Sequence, residues 1–166
     1  MNYKIEKMSA FKIIGFQKEF HMDNSYQEIP KFWGEIFGKY FSHLSEEKGT
    51  MIEEAIKRYR IGEYGVCIDD NKKQTFQYLI AGEYTGGEVP EGLSLHEFEE
   101  GLWIIFDCVG PLPTSLQDLN TKIFKEFLPN NQEYEMSMSA SIEWYDEGDT
   151  DSPNYHSQIW IPVKKK

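Results

Sequence analysis

The sequence predicts an α+β protein made of two copies of one strand–helix–strand–strand unit, with antiparallel sheets and helices packed on one side. Three observations predict it. Near the C-terminus, in "YHSQIWIPVKKK", Ile159, Ile161 and Val163 alternate with Gln158, Trp160 and Pro162, the period of a strand with two unlike faces. In "KFWGEIFGKYFSHL", Ile29, Phe32, Trp33, Ile36, Phe37, Tyr40 and Leu44 recur at three and four residues, the stripe of an amphipathic helix. The same order of elements is then written twice, which places a first repeat at about 1–84, a connection at about 85–100 and a second repeat at about 101–166 of a single domain. A duplication of this kind implies a pseudo-twofold relation and a groove between the halves, where a small ligand would bind.

Taken in order, "YKIEKMSAFKIIGFQKEF" is strand-rich, with Phe11, Ile13 and Ile14 marking a buried segment. The aromatic helix follows, and Pro30 is expected in its first turn, where a missing N–H has no partner to lose. Gly34 and Gly38 weaken that helix in isolation. "GEYGVCID" and "QTFQYLIAGEY" read as two strands joined at "DNKK", an Asp-Asn hairpin signal. "TGGEVPEGLSLHEFEE" is a Gly- and Pro-containing connection with one short strand inside.

The second half opens with the strand "GLWIIFDCVG". In "PLPTSLQDLNTKIFKEFL" the stripe Leu116, Leu119, Ile123, Phe124 and Phe127 gives a helix, with Thr114 or Ser115 placed to cap it and Pro129, Asn130 and Asn131 placed to stop it. "ASIEWYD" and "YHSQIWIPV" close the unit as a strand pair around the loop "EGDTDSPN". That loop is acidic but lacks the ligand alternation and closing Glu of a calcium site.

The 166-residue chain is 40% hydrophobic and 15% aromatic, enough for a real core. Seventeen Lys and Arg against 28 Asp and Glu give a net charge of −11, which excludes a general nucleic-acid surface and suits cationic partners. Cys67 and Cys108 lie apart inside apolar runs without metal spacing, the pattern of free thiols in a reducing compartment. The N-terminus lacks a signal-peptide run and nothing reaches membrane-span length, so the expected location is the cytoplasm.

Catalytic motifs are absent: no phosphate loop, no H-E-x-x-H and no G-x-S-x-G. His21, His43, His96 and His156 are scattered without ligand spacing, and no metal or cofactor is expected. What the chain has in excess is aromatic residues on strands. Tyr64, Tyr78, Trp103, Trp144 and Trp160, with Trp33 on the first helix, lie close in sequence to Glu63, Glu83, Glu99, Glu143 or Gln158. Ring faces attract positive charge and a desolvated carboxylate gives it direction, so such a wall can receive a lipophilic cation. The same residues also fill cores and favour strands. The ligand-binding candidates are therefore Trp33, Tyr64, Tyr78, Trp103, Glu143, Gln158 and Trp160.

"GLWIIFDCVGPLPTSLQDLNTKIFKEFLP" through "IEWYDEGDTDSPNYHSQIWIPVKK" resembles the second half of the GyrI-like (gyrase-inhibitory-protein-like) effector-binding domain, which occurs alone and fused to AraC-type and MerR-type activators. The elements that carry the resemblance are the "GP-P" junction at Gly110, Pro111 and Pro113, the "GD-DSP-Y" turn from Gly148 to Tyr155, and the "IWIP" ending. "FKIIGF", the aromatic helix and "YGVCID" extend it over nearly the whole chain. The resemblance implies binding of amphipathic, often cationic, small molecules such as drugs and dyes. Many members end in "EIWIP", the acid meeting the ligand's charge; here that position is Gln158, so the charge would come from another acid such as Glu143 or Glu83.

The leading reading is thus a stand-alone effector-binding domain for amphipathic, cationic small molecules, sensing or sequestering them and linked to transcriptional regulation through a partner chain. A hydrolase using a groove carboxylate ranks second, because Gln158 removes the expected acid. A protein-binding inhibitor of the gyrase-inhibitory type ranks third. Open strand edges admit a homodimer.

Overall fold

The computed structural model describes residues 1–44, 49–70, 72 and 74–166. Its strands are β1 (Tyr3–Met8), β2 (Phe11–His21), β3 (Tyr64–Asp69), β4 (Thr75–Glu83), β5 (Ser94–Phe98), β6 (Gly101–Val109), β7 (Tyr134–Met136), β8 (Ala140–Tyr145) and β9 (His156–Lys165). The helices are α1 (Ser25–Lys39), α2 (Met51–Tyr59) and α3 (Thr114–Lys122). The protein is α+β, as the alternating periods predict. Its contacts divide the chain into two compact units, one made of Phe11–Phe98 and one made of Met1–Ala10 with Glu99–Lys166.

In the unit of Phe11–Phe98 the antiparallel strand order is β3-β4-β2-β5. Register places Ile14, Phe16 and Phe20 on one face with Tyr78, Ile80 and Cys67. Onto this face pack Phe32 and Ile36 of α1 and Ala55, Ile56 and Tyr59 of α2. Each fully buried Ile or Phe of this kind contributes roughly 1.5–3 kcal/mol. The face away from the helices carries Ile13, Gly15, Val66, Leu79 and Ala81.

The helix α2 is additional to the strand–helix–strand–strand order of the repeat. Thr50 caps it by accepting from the Glu53 backbone N–H at 3.2 Å, and Arg60 closes it in the left-handed region with φ 54°. Its C-terminal end comes so close to β4 that a Cβ on Gly82 would lie 1.9 Å from the Tyr59 carbonyl oxygen. Only glycine leaves room there. The helix α1 begins at Ser25, so Pro30 sits inside it rather than in its first turn. The "DNKK" turn includes Asn71 and Lys73, and the acidic run at 46–54 begins with Glu46, Glu47 and Lys48; all five lie outside the described residues.

In the other unit the order is β1-β6-β9-β8, with β7 also paired to β9. The core face joins Ile104, Phe106 and Cys108 of β6 to Ile159, Ile161 and Val163 of β9, under Leu116, Leu119 and Ile123. The strand 3–8, read as part of the first half, pairs with β6 instead. β1 thus takes beside β6 the place that β5 takes beside β2. The physical reason is register: Ile5 and Tyr3 meet Ile104 and Phe106 across the ladder, an apolar match that lies about a hundred residues away in sequence.

The helix α3 starts after Pro113 without a side-chain cap from Thr114 or Ser115. It runs on through a π-helical stretch, Ile123–Phe127, to a last turn Leu128–Asn130 that contains Pro129, so the chain leaves the helix at Asn131 rather than at the proline. The motifs around it are structural. Gly110 has φ 139°, and its N–H donates to the Tyr155 carbonyl at 2.8 Å. The Tyr155 hydroxyl donates to the Asp146 carbonyl at 2.6 Å, and the Leu112 N–H donates to Thr150 at 2.8 Å. The "GP-P" junction and the "GD-DSP-Y" turn therefore hold each other.

Candidate ligand-binding face

Alternation on β6, β8 and β9 sends one set of side chains into the core of their unit and the other set to the opposite face. Cross-strand pairing assembles that second set. Trp103 lies opposite Pro162, Ile105 opposite Trp160, and Asp107 opposite Gln158. Ile142 faces Trp160 and Trp144 faces Gln158. Three tryptophans, one carboxylate and one amide of these three strands therefore share a single sheet face, beside Lys4 and Glu6 of β1, which lie opposite Ile105 and Trp103.

The polar groups on it form a continuous chain. The Trp160 Nε1–H donates to Gln158 Oε1 at 2.9 Å. The Gln158 Nε2–H then donates to Asp107 Oδ1, also at 2.9 Å. His156 Nε2 lies 3.2 Å from the same Oδ1, and the His156 ring meets Trp144 edge-on with centroids 5.4 Å apart. The bond from Gln158, aided by His156 and by the positive charge of Lys4, holds the Asp107 carboxyl below the usual carboxylate range. Asp107 is therefore an anion at neutral pH, aligned by an amide that cannot itself carry charge. Asp107, Trp144, His156, Gln158 and Trp160 are half-buried, whereas Trp103 is 2% exposed. Trp103 floors the face and the others line it.

The remaining sequence candidates fall elsewhere. Glu143 is opposite Ile159 on the helix-covered face of β8, because adjacent strand residues point to opposite sides. Tyr145 Oη donates to its Oε2 at 2.5 Å, and burial pushes the carboxyl up. Trp33 and Tyr78 belong to the helix-packed core of the Phe11–Phe98 unit, where Trp33 Nε1–H donates to Tyr78 Oη at 2.7 Å. Tyr64 is on the helix-free face of that unit; burial, with Glu63 and Glu83 nearby, pushes its hydroxyl up to about 12. Asp107 was not among the ligand-binding candidates, although its shared parity with Trp103 in "GLWIIFD" already puts the two on one face.

Both cysteines are free thiols. Among the described residues no three His, Cys, Asp or Glu side chains are grouped to hold a metal. No helix among them is long and apolar enough to cross a membrane.

Solved structures share this fold. SAV2435 bound to tetraphenylphosphonium matches with a TM-score of 0.80 at 18% identity, over 99% of this chain and 94% of its own. A protein of Staphylococcus aureus MU50 matches at 0.75 and 19%, over 99% of both chains. The C-terminal domain of EcmrR matches at 0.57 and 14%, over 99% of this chain and 98% of its own. No curated protein matches the sequence significantly. The sequence profile of the GyrI-like small molecule binding domain matches residues 1–164, and the chain belongs to that family.

Proposed function

We propose that this domain binds amphipathic, cationic small molecules on the tryptophan face of β6, β8 and β9, with Asp107 supplying the negative charge. The observation that carries the reading is the chain Trp160–Gln158–Asp107–His156 set among half-buried indole rings. A lipophilic cation needs flat apolar surface for its substituents and an anion for its charge, and this face offers both. The tetraphenylphosphonium bound by SAV2435 is a ligand of that chemistry. Gln158 takes the place of the acid in "EIWIP" and, in this reading, passes the anionic role to its cross-strand neighbour. The kinship in fold with the EcmrR domain supports a role in sensing or sequestering drugs or metabolites in the cytoplasm, coupled to transcription through a partner protein.

The test is a titration of tryptophan fluorescence with tetraphenylphosphonium, for the wild type and Asp107→Asn. Loss of one charge-assisted contact should weaken binding by about 1.5–3 kcal/mol. Equal affinity in both proteins would remove Asp107 from the site. No binding by the wild type, with a neutral triaryl analogue equally inert, would overturn the reading.

A further inference from the structure

The strand β1 ends the order of its unit's sheet: among the described residues it has β6 on one side and no strand on the other. Residues 3–7 are all exposed, Tyr3 and Ile5 among them at 46% and 39%. An open edge with apolar side chains is a template for another strand.

We propose that β1 is the contact of a symmetric homodimer, in which the β1 strands of two copies pair antiparallel about Ile5. The backbone sets which groups are available. The Asp107 N–H donates to the Asn2 carbonyl at 2.9 Å, so the even residues of β1 turn their backbone polar groups toward β6. Tyr3, Ile5 and Lys7 therefore turn theirs outward. Pairing about Ile5 sets Ile5 against Ile5 and Tyr3 against Lys7 of the second copy, satisfying those outward groups. Lys4 then falls opposite Glu6 of the second copy, at the non-hydrogen-bonded positions where side chains come closest. Within one chain Lys4 Nζ already lies 3.0 Å from Glu6 Oε1, so the dimer would close a ring of four alternating charges. The other open edge, β5, has no such self-match: pairing about His96 would set Leu95 against Glu97. A two-fold pairing of like edges closes on itself, whereas joining β1 to β5 would propagate into filaments.

The experiment measures molar mass by sedimentation equilibrium over a concentration series, with thermal melts as the fold control. The wild type should dimerise reversibly. Lys4→Glu and Glu6→Lys should each raise the dimer dissociation constant by about tenfold or more, since each sets like charges opposite one another twice per dimer. The double variant Lys4→Glu/Glu6→Lys restores opposite charges and should restore the dimer. A wild type that stays monomeric up to its solubility limit overturns the proposal. So does a dimer that ignores both single reversals, or one that the double variant fails to recover while melting normally.

Discussion

In the Phe11–Phe98 unit the sheet face turned away from the helices carries Ile13, Gly15, Val66, Leu79 and Ala81. In the other unit the face turned away from the helix carries Trp103, Asp107, Trp144, Gln158 and Trp160. The strand orders are alike: β3-β4-β2-β5 in one, β8-β9-β6-β1 in the other. The helix-covered faces are alike too, aliphatic and aromatic side chains in both. The duplicated topology is thus maintained by the same kind of core, while the second faces have diverged. One sets buried aliphatic residues beside Tyr64 and the hydrogen-bonded pair Gln17 and Gln77. The other assembles rings around a hydrogen-bonded carboxylate, chemistry that a core does not need.

The comparison can be broken first on the side of stability. Gly82→Val would drive a side chain into the Tyr59 carbonyl, which a Cβ would approach to 1.9 Å. Overpacking against backbone should cost about 3 kcal/mol, read as a lowered denaturant midpoint. Ligand affinity of the folded fraction should not change. If it did, the tryptophan face would not be the sole seat of binding.

Next in size is Trp160→Ala. Removing a half-buried ring from the face should weaken tetraphenylphosphonium binding by about 1–2 kcal/mol, measured by calorimetric titration. Trp33→Ala should instead lower the melting temperature, because it breaks the bond to Tyr78, with affinity unchanged. The reverse pattern would exchange the roles assigned to the two units.

Gln158→Glu sharpens the comparison further. The new carboxylate would stand at hydrogen-bond distance from Asp107, where 2.9 Å separates the two groups now. Two carboxylates so placed share a proton. The apo protein should therefore lose stability as pH rises above the unfolded carboxylate value and until the shared proton is released, and a bound cation should restore it. In the wild type, Asp107 behaves oppositely. Its folded-state pKa is depressed, so its contribution is present above the unfolded value and lost as pH falls through the folded one. A pH series of melts on both proteins, with and without tetraphenylphosphonium, separates the two signs.

Much of this was legible in the sequence because period carries it. The two-residue alternation on β9 and the helical stripe of α1 give element type and the inward face. Parity also settles that Asp107 joins Trp103 and that Glu143, adjacent to Trp144, must face the other way. What period cannot give is register. The meeting of Asp107 with Gln158 depends on which residues of β6 and β9 are opposite one another, and the pairing of β1 with β6 joins segments far apart in the chain. The helix α2 is a different case: Thr50, Glu53 and the stripe Ile52, Ala55, Ile56 and Tyr59 announce it, but the density of acids around them reads as a solvated loop.

The smallest expected effect tests whether Glu143 belongs to the core rather than to binding. Burial raises its pKa above the value it has in the unfolded chain, and the hydroxyl of Tyr145 offsets this only in part. As pH rises through the unfolded value, the unfolded chain releases this proton first, so stability falls until the folded-state pKa is passed. At neutral pH the native protein therefore carries a penalty that Glu143→Gln would remove, since the amide oxygen can still accept from Tyr145. The variant should melt about 2–4 °C higher near neutrality, gain nothing in acid, and bind tetraphenylphosphonium as the wild type does. A loss of cation affinity in Glu143→Gln, with the fold intact, would move the charge from Asp107 to the other side of the sheet.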